Sequence, residues 1–103
     1  MKRIVTPKRI SDYAVKYPTA KPSLMHWAKT VEHADWQTPA DVKVAFNDVD
    51  PATVSSGRTV YVFNIERNRH RLIAAIHFNT GMVYVLRLMT HKEYDRNRWK
   101  DEL

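Results

Sequence analysis

An imidazole, a phenol and two guanidinium groups fall in the strand-rich C-terminal half of this 103-residue chain. The segment Thr90-His91-Lys92-Glu93-Tyr94-Asp95 follows two apolar runs that each carry one arginine, Arg71 in Arg71–His77 and Arg87 in Val83–Met89. Cleaving RNA with its own 2′-hydroxyl needs a base for the hydroxyl proton, cations for the crowded phosphorane and an acid for the leaving 5′-oxygen. His91 suits proton transfer, since imidazole titrates near neutrality. Arg71 and Arg87 suit phosphate stabilisation, because a guanidinium stays charged and donates bidentately. Tyr94 suits stacking on a base or, with its pKa lowered by nearby cations, a share in proton transfer. Taken singly, each has a structural alternative: arginines paired with Glu66 or Glu93, His91 within a helix cap, Tyr94 as packing. Their convergence on one sheet face and one helix end favours chemistry.

These groups need a scaffold, and hydrophobic periodicity supplies one. Residues 2–6 suit a short strand, and Thr6-Pro7 a helix start with a capping hydroxyl and proline in the first turn. Ile10, Tyr13, Ala14 and Tyr17 then form one helical stripe that Pro18 ends. A second helix from about residue 21 is striped by Leu24, Trp27, Ala28 and Val31, completing a helical hairpin. Asp35–Gly57 is the least regular stretch. There Thr38-Pro39-Ala40-Asp41 starts a short helix through Phe46, and Asn47–Gly57 reads as loop.

Thr59–Glu66, Arg71–Phe78 and Met82–Met89 are strand-like, rich in β-branched and aromatic residues. A three-residue loop, Asn79-Thr80-Gly81 with Gly81 left-handed, pairs Phe78 with Met82 and Ile73 with Arg87. A two-residue turn at Arg67-Asn68 places Asn64 opposite Arg71. The side-chain period of two then puts Tyr61, Phe63, Ile65, Leu72, Ala74, Ile76, Phe78, Met82, Tyr84, Leu86 and Leu88 on one apolar face, to be covered by the helices. Val60, Val62, Asn64, Arg71, Ile73, His77, Val83, Val85 and Arg87 fall on the other, a half-polar, basic platform. Thr90-x-x-Glu93 is a capping box that opens a short helix, with His91 and Tyr94 one turn apart beside the Arg87 strand.

Composition narrows the function classes. Seventeen Lys and Arg against eleven Asp and Glu give +6, a field that attracts phosphate polymers or an acidic partner. The absence of cysteine excludes a disulfide scaffold and a thiolate zinc site, and suits a reducing compartment. The apolar runs are far short of a membrane span and the basic N-terminus lacks a secretory stretch, so a cytoplasmic protein is expected. The ending Lys100-Asp101-Glu102-Leu103 matches a retrieval signal by coincidence and reads as a solvated tail. His26, His33, His70 and His77 lack metal-ligand spacing with a carboxylate. Trp27 and Trp36 read as core, and Trp99 as an exposed contact. Lys43, Arg67, Arg69 and Lys92, with Asn64, are the candidate RNA contacts around the central groups.

Three stretches carry a resemblance. They are Ala34-Asp35-Trp36-Gln37-Thr38-Pro39-Ala40-Asp41-Val42-Lys43, then Val62-Phe63-Asn64-Ile65 with Asn68-x-x-Arg71-Leu72, and Thr90-His91-Lys92-Glu93-Tyr94-Asp95. In order and spacing the chain resembles the HigB toxins of bacterial type II toxin–antitoxin systems, within the RelE-like superfamily. The resemblance implies one domain over residues 1–103 with an α/β (α+β) fold, a helical hairpin on a small, mainly antiparallel sheet with a short C-terminal helix. It implies an mRNA interferase that acts during translation at the ribosome, without metal or organic cofactor. It also implies neutralisation by a HigA-type helix-turn-helix antitoxin, through which alone the toxin would meet operator DNA.

Residue by residue, Arg71 matches the superfamily's phosphate-contacting arginine on the middle strand. His91 and Tyr94 occupy the C-terminal positions where such toxins keep basic and tyrosine residues, whereas Arg87 comes from face parity. Asn64 stands where some RelE-like toxins place a lysine, which leaves the base open. Arg67 sits where many relatives have glycine, implying either strain or an added phosphate contact. The alternatives to a nuclease are a non-catalytic RNA- or ribosome-binding module and a partner-binding scaffold.

Overall fold

The computed structural model describes residues 1–103. It begins with a short strand, β1 (Arg3–Val5), and two helices, α1 (Pro7–Lys16) and α2 (Lys21–His33), joined by a 3₁₀ turn at Pro18–Ala20. Proline opens α1 because its missing N–H is unpaired there in any case. The expected hydroxyl cap is absent. Thr6 is left-handed at φ 63 and its side chain makes no capping bond; its carbonyl instead accepts from the Arg9 N–H at 3.1 Å. Tyr17 closes the helix by donating its N–H to the Tyr13 carbonyl at 2.8 Å, and Pro18 prevents continuation. Helix α3 (Pro39–Ala45) forms as its sequence predicts, with the Asp41 carboxylate accepting from the Gln37 and Thr38 N–H groups at 2.8 and 3.1 Å.

Four further strands follow, β2 (Asp50–Thr53), β3 (Thr59–Ile65), β4 (His70–His77) and β5 (Met82–Thr90), then α4 (His91–Asp95) and α5 (Arg98–Glu102). The sheet order is β1-β5-β4-β3-β2, antiparallel except where β1 runs parallel to β5. This is the α/β architecture that the resemblance implied, built from the helices and strands that periodicity marked. No helix is long and apolar enough to cross a membrane.

Four further expectations fail. The stretch read as loop contains β2, whose Asp50, Pro51 and Ala52 disfavour strands and are held by pairing with β3. The β4–β5 loop has four residues, since His77, not Phe78, lies opposite Met82. A bulge at Leu86, between the pairs Ile73–Arg87 and Ala74–Val85, absorbs the extra residue. The first half of β5 is therefore inverted: Val83 and Val85 join the helix-covered core, and Leu86 packs on the other face. Lastly, the C-terminal segment is docked. Trp99 is 2% exposed, and the Ser55 N–H donates to the Lys100 carbonyl at 2.9 Å.

The main core lies between the hairpin and the sheet, where Leu24, Trp27 and Val31 of α2 meet Phe63, Ile65, Leu72 and Ala74. Each such fully buried large side chain contributes about 1.5–3 kcal/mol relative to exposure. Trp27 and Trp36 belong to this core, as their stripes predict. A smaller cluster on the opposite face gathers Val54, Val60, Val62, Ile73 and Met89 beneath Trp99. The supposed platform is thus roofed over much of its area. The end near the β3–β4 turn, with Asn64 and Arg71, stays open.

Candidate active site

At that end the chain reverses through residues 66–69, between the paired Ile65 and His70. Two non-glycine residues in the turn, Glu66 at φ 50 and Arg67 at φ 62, are left-handed, a conformation that L side chains disfavour. Arg67 is the position where the resemblance expected glycine, and the strain is present. The Arg69 N–H donates to the Glu66 carbonyl at 3.3 Å, closing the turn.

Three successive carbonyls leaving this turn orient two candidate residues. Arg71 donates from Nη1 to the carbonyls of Asn68 at 2.8 Å and His70 at 3.1 Å. The carbonyl between them, Arg69, accepts the backbone N–H of His91 at 3.0 Å. Arg71 has no carboxylate at salt-bridge distance, so its charge is uncompensated. Its guanidinium carbon lies 5.2 Å from the centre of the Tyr94 ring, a cation–π contact that steadies it without neutralising it.

Tyr94 is held from the other side. Its ring stacks on Trp99 at 5.3 Å and 16°, and the Trp99 indole N–H donates to the Tyr94 carbonyl at 3.1 Å. The capping box beneath it forms as expected: the Thr90 hydroxyl accepts from the Glu93 N–H, and the Glu93 carboxylate accepts from the Thr90 N–H at 3.2 Å. The anticipated lowering of the Tyr94 pKa does not occur. Burial, then Asp50, pushes it up, with Asp95 adding to the rise, and Arg71 offsets only part of this. Burial thus favours the protonated phenol, an O–H donor.

His91 opens α4 with an exposed side chain next to the turn. Asn64 faces Arg71 across the β3–β4 pair, as predicted, and donates its amide to Asp48 at 3.0 Å. Arg67, Arg69 and Lys92 are exposed around the same end, with Arg69 3.7 Å from Glu66. Lys43 lies on α3, its ammonium donating to the Val49 carbonyl at 3.3 Å. Arg87 stands apart from the others. It pairs with Glu102 at 2.9 Å and opens onto clefts lined by Arg96, Arg98 and Trp99 on one side and by Arg9, Asp12 and Lys16 on the other. Arg71, His91 and Tyr94 line neither cleft.

The residue types and spacing missed two features. Asp48 and Asp50 lie at the site's margin, in a stretch that offered no strand signal. Behind the turn, His70 is buried and shares a 2.7 Å hydrogen bond with the Tyr13 hydroxyl. Strand parity could have found this pair: His70 alternates with Arg71, hence faces the helices, and Tyr13 supplies a hydroxyl within the α1 stripe.

A guanidinium without a carboxylate partner, the phenol it contacts and an exposed imidazole at the start of the adjoining helix fit phosphodiester chemistry. Comparison with known proteins agrees with that geometry. A family model, HigB_toxin, the RelE-like toxic component of a toxin–antitoxin system, matches residues 20–97. The mRNA interferase toxin HigB of Escherichia coli strain K12 is 33% identical over 92 residues, covering 89% of this chain and 86% of its own. The mRNA interferase HigB of Shigella flexneri matches to the same extent, and that of Escherichia coli O6:H1 is 27% identical over 93 residues, 90% of this chain. With three-quarters of its length matched by the family model and its turn, strands and α4 folded to suit, the chain belongs to the HigB toxin family, the RelE-like toxic components of toxin–antitoxin systems.

Proposed function

We propose that residues 1–103 act as one toxin unit, a metal-independent endoribonuclease that cleaves mRNA in the cytoplasm during translation on the ribosome. The names of the Escherichia coli and Shigella relatives support mRNA as the substrate. The observation that carries the assignment is the run of carbonyls at Asn68, Arg69 and His70, which ties Arg71 and His91 to a single turn.

In this mechanism His91 takes the proton from the 2′-hydroxyl as its oxygen attacks the adjacent phosphorus. Arg71 meets the charge that builds on the non-bridging oxygens, a role suited to a guanidinium with no carboxylate partner. Tyr94, its ring already held between Arg71 and Trp99, gives its O–H proton to the leaving 5′-oxygen. The bond from phosphorus to the 5′-oxygen breaks, giving a 2′,3′-cyclic phosphate on one fragment and a 5′-hydroxyl on the other. Asn64, Arg67, Arg69, Lys43 and Lys92 supply outer RNA contacts. Arg87, already paired with Glu102, contributes a weaker, peripheral phosphate contact. A HigA-type helix-turn-helix antitoxin neutralises the toxin and carries it to operator DNA.

The test is to incubate the purified chain with translating ribosomes and an mRNA, without added metal, and to map new ends. New 5′-hydroxyl ends are expected. Retention on ribosomes with no new ends would favour the non-catalytic binding module instead.

A further inference from the structure

We infer that Tyr13 and His70, backed by Glu66, are positioning residues that brace the 66–69 turn from behind the sheet and so hold Arg71 and His91 in place; this rests on the cleavage reading above. His70 is an immediate chain neighbour of Arg71 but faces the opposite side. Its imidazole is 5% exposed and packs edge-on to Tyr13 and tilted against Tyr17. The Tyr13 hydroxyl is 2.7 Å from Nδ1, while Nε2 faces Glu66 Oε1 at 4.0 Å. A neutral ring with its proton on Nε2 suits both neighbours: Tyr13 donates to Nδ1, and the positive end of the Nε2–H dipole lies on the side of the carboxylate. Burial favours this state on both sides, holding the His70 pKa down and the Tyr13 pKa up.

The brace also acts at the other end of the turn. The Glu66 N–H donates to Ser23 Oγ on α2 at 2.9 Å, and Glu66 Oε1 accepts from the Thr19 hydroxyl at 3.4 Å. Glu66 Oε2 is buried with no hydrogen-bond partner, so Thr19 and the His70 and Arg69 contacts at Oε1 are what steady this carboxylate. The arc from the anchored Glu66 to the anchored His70 has two residues, Glu66 itself and Arg67, at disfavoured positive φ. Such an arc persists only when its surroundings over-determine it. Its carbonyls at 68, 69 and 70 are the acceptors that aim Arg71 and His91, so releasing His70 lets them turn away.

Tyr13→Phe removes only the hydroxyl. His70→Leu removes the acceptor, and His70→Asn restores one, since Oδ1 can take the place of Nδ1. In ribosome-programmed cleavage, Tyr13→Phe and His70→Leu are expected to lower kcat about tenfold with KM little changed, because misplacement costs rate rather than binding. His70→Asn recovers most of that loss. In parallel, the Arg71 Nε–H NMR signal shifts and broadens in Tyr13→Phe and His70→Leu only. Wild-type rates and unchanged Arg71 signals in those two variants would overturn the inference. So would an equal loss in His70→Asn with the Arg71 signal unmoved, which marks a stability effect alone. If the wild-type chain cleaves nothing, the nuclease assignment falls, and the Arg71 signals decide the positioning claim by themselves.

Discussion

The two hairpin turns at opposite ends of β4 solve the same geometric problem differently. Residues 78–81 reverse the chain with Gly81 at φ 72, a conformation glycine adopts freely, and their ties to other elements are backbone bonds from Lys2 and Arg3 to the Gly81 carbonyl. Residues 66–69 use Glu66 and Arg67 at positive φ and are tied to α1, α2 and α4 by side-chain and backbone hydrogen bonds. A turn that only had to reverse the chain would not need that support. The strained, anchored turn is the one from which Arg71 and His91 hang.

The sharpest way to break this contrast is to remove the roof beside the anchored end. Trp99→Ala should lower stability by about 3–5 kcal/mol in urea unfolding, as for other buried aromatics, and free Tyr94 from its stacking partner. At the simple turn, Gly81→Ala should cost about 1–2 kcal/mol from left-handed strain. Its new Cβ would also meet the Lys2 backbone nitrogen at 3.3 Å. Cleavage by the surviving folded fraction should be unchanged. At the anchored turn the sign reverses: Arg67→Gly should gain roughly 0.5–1 kcal/mol by relieving positive φ, read as a raised thermal midpoint. A loss of RNA affinity in the same variant would identify Arg67 as a phosphate contact as well.

A smaller effect follows from His70. Burial holds its folded pKa below the ordinary 6.5, so between those two values the unfolded chain binds a proton that the folded chain refuses. Its stabilising contribution is complete above pH 6.5 and declines as pH falls below it, until the folded ring itself is protonated. Comparing the urea midpoints of wild type and His70→Leu on either side of that pH isolates this loss, since the other histidines are common to both.

The same contrast explains what was legible in the chain. Helix stripes such as Leu24-Trp27-Val31 and the apolar alternation of β3 and β4 mark a buried face directly, and the core lies where they place it. The Asn64–Arg71 pair was legible from turn length and parity, whereas the Ile73–Arg87 pair holds only because the bulge at Leu86 cancels the extra residue of the β4–β5 loop. The face of Val83 and Val85 was not, because a four-residue loop and a compensating bulge at Leu86 are invisible to a count of alternation. Nor was the Trp99 roof, since the charged residues around it gave no sign that the segment docks. Of the candidate site, Arg71 and Tyr94 are in contact and His91 shares their turn, whereas Arg87 was grouped with them by parity alone and is held by Glu102.

The central claim is that the anchored turn presents the groups that cut RNA, and single-turnover cleavage by Arg71→Ala and His91→Ala tests it most directly. With folding verified, each should cleave about 10²–10³-fold more slowly than wild type, the size of effect seen when one transition-state-stabilising group is lost, and each should permit growth where the wild-type chain arrests it. Wild-type cleavage rates and full growth arrest from both folded variants would contradict the account.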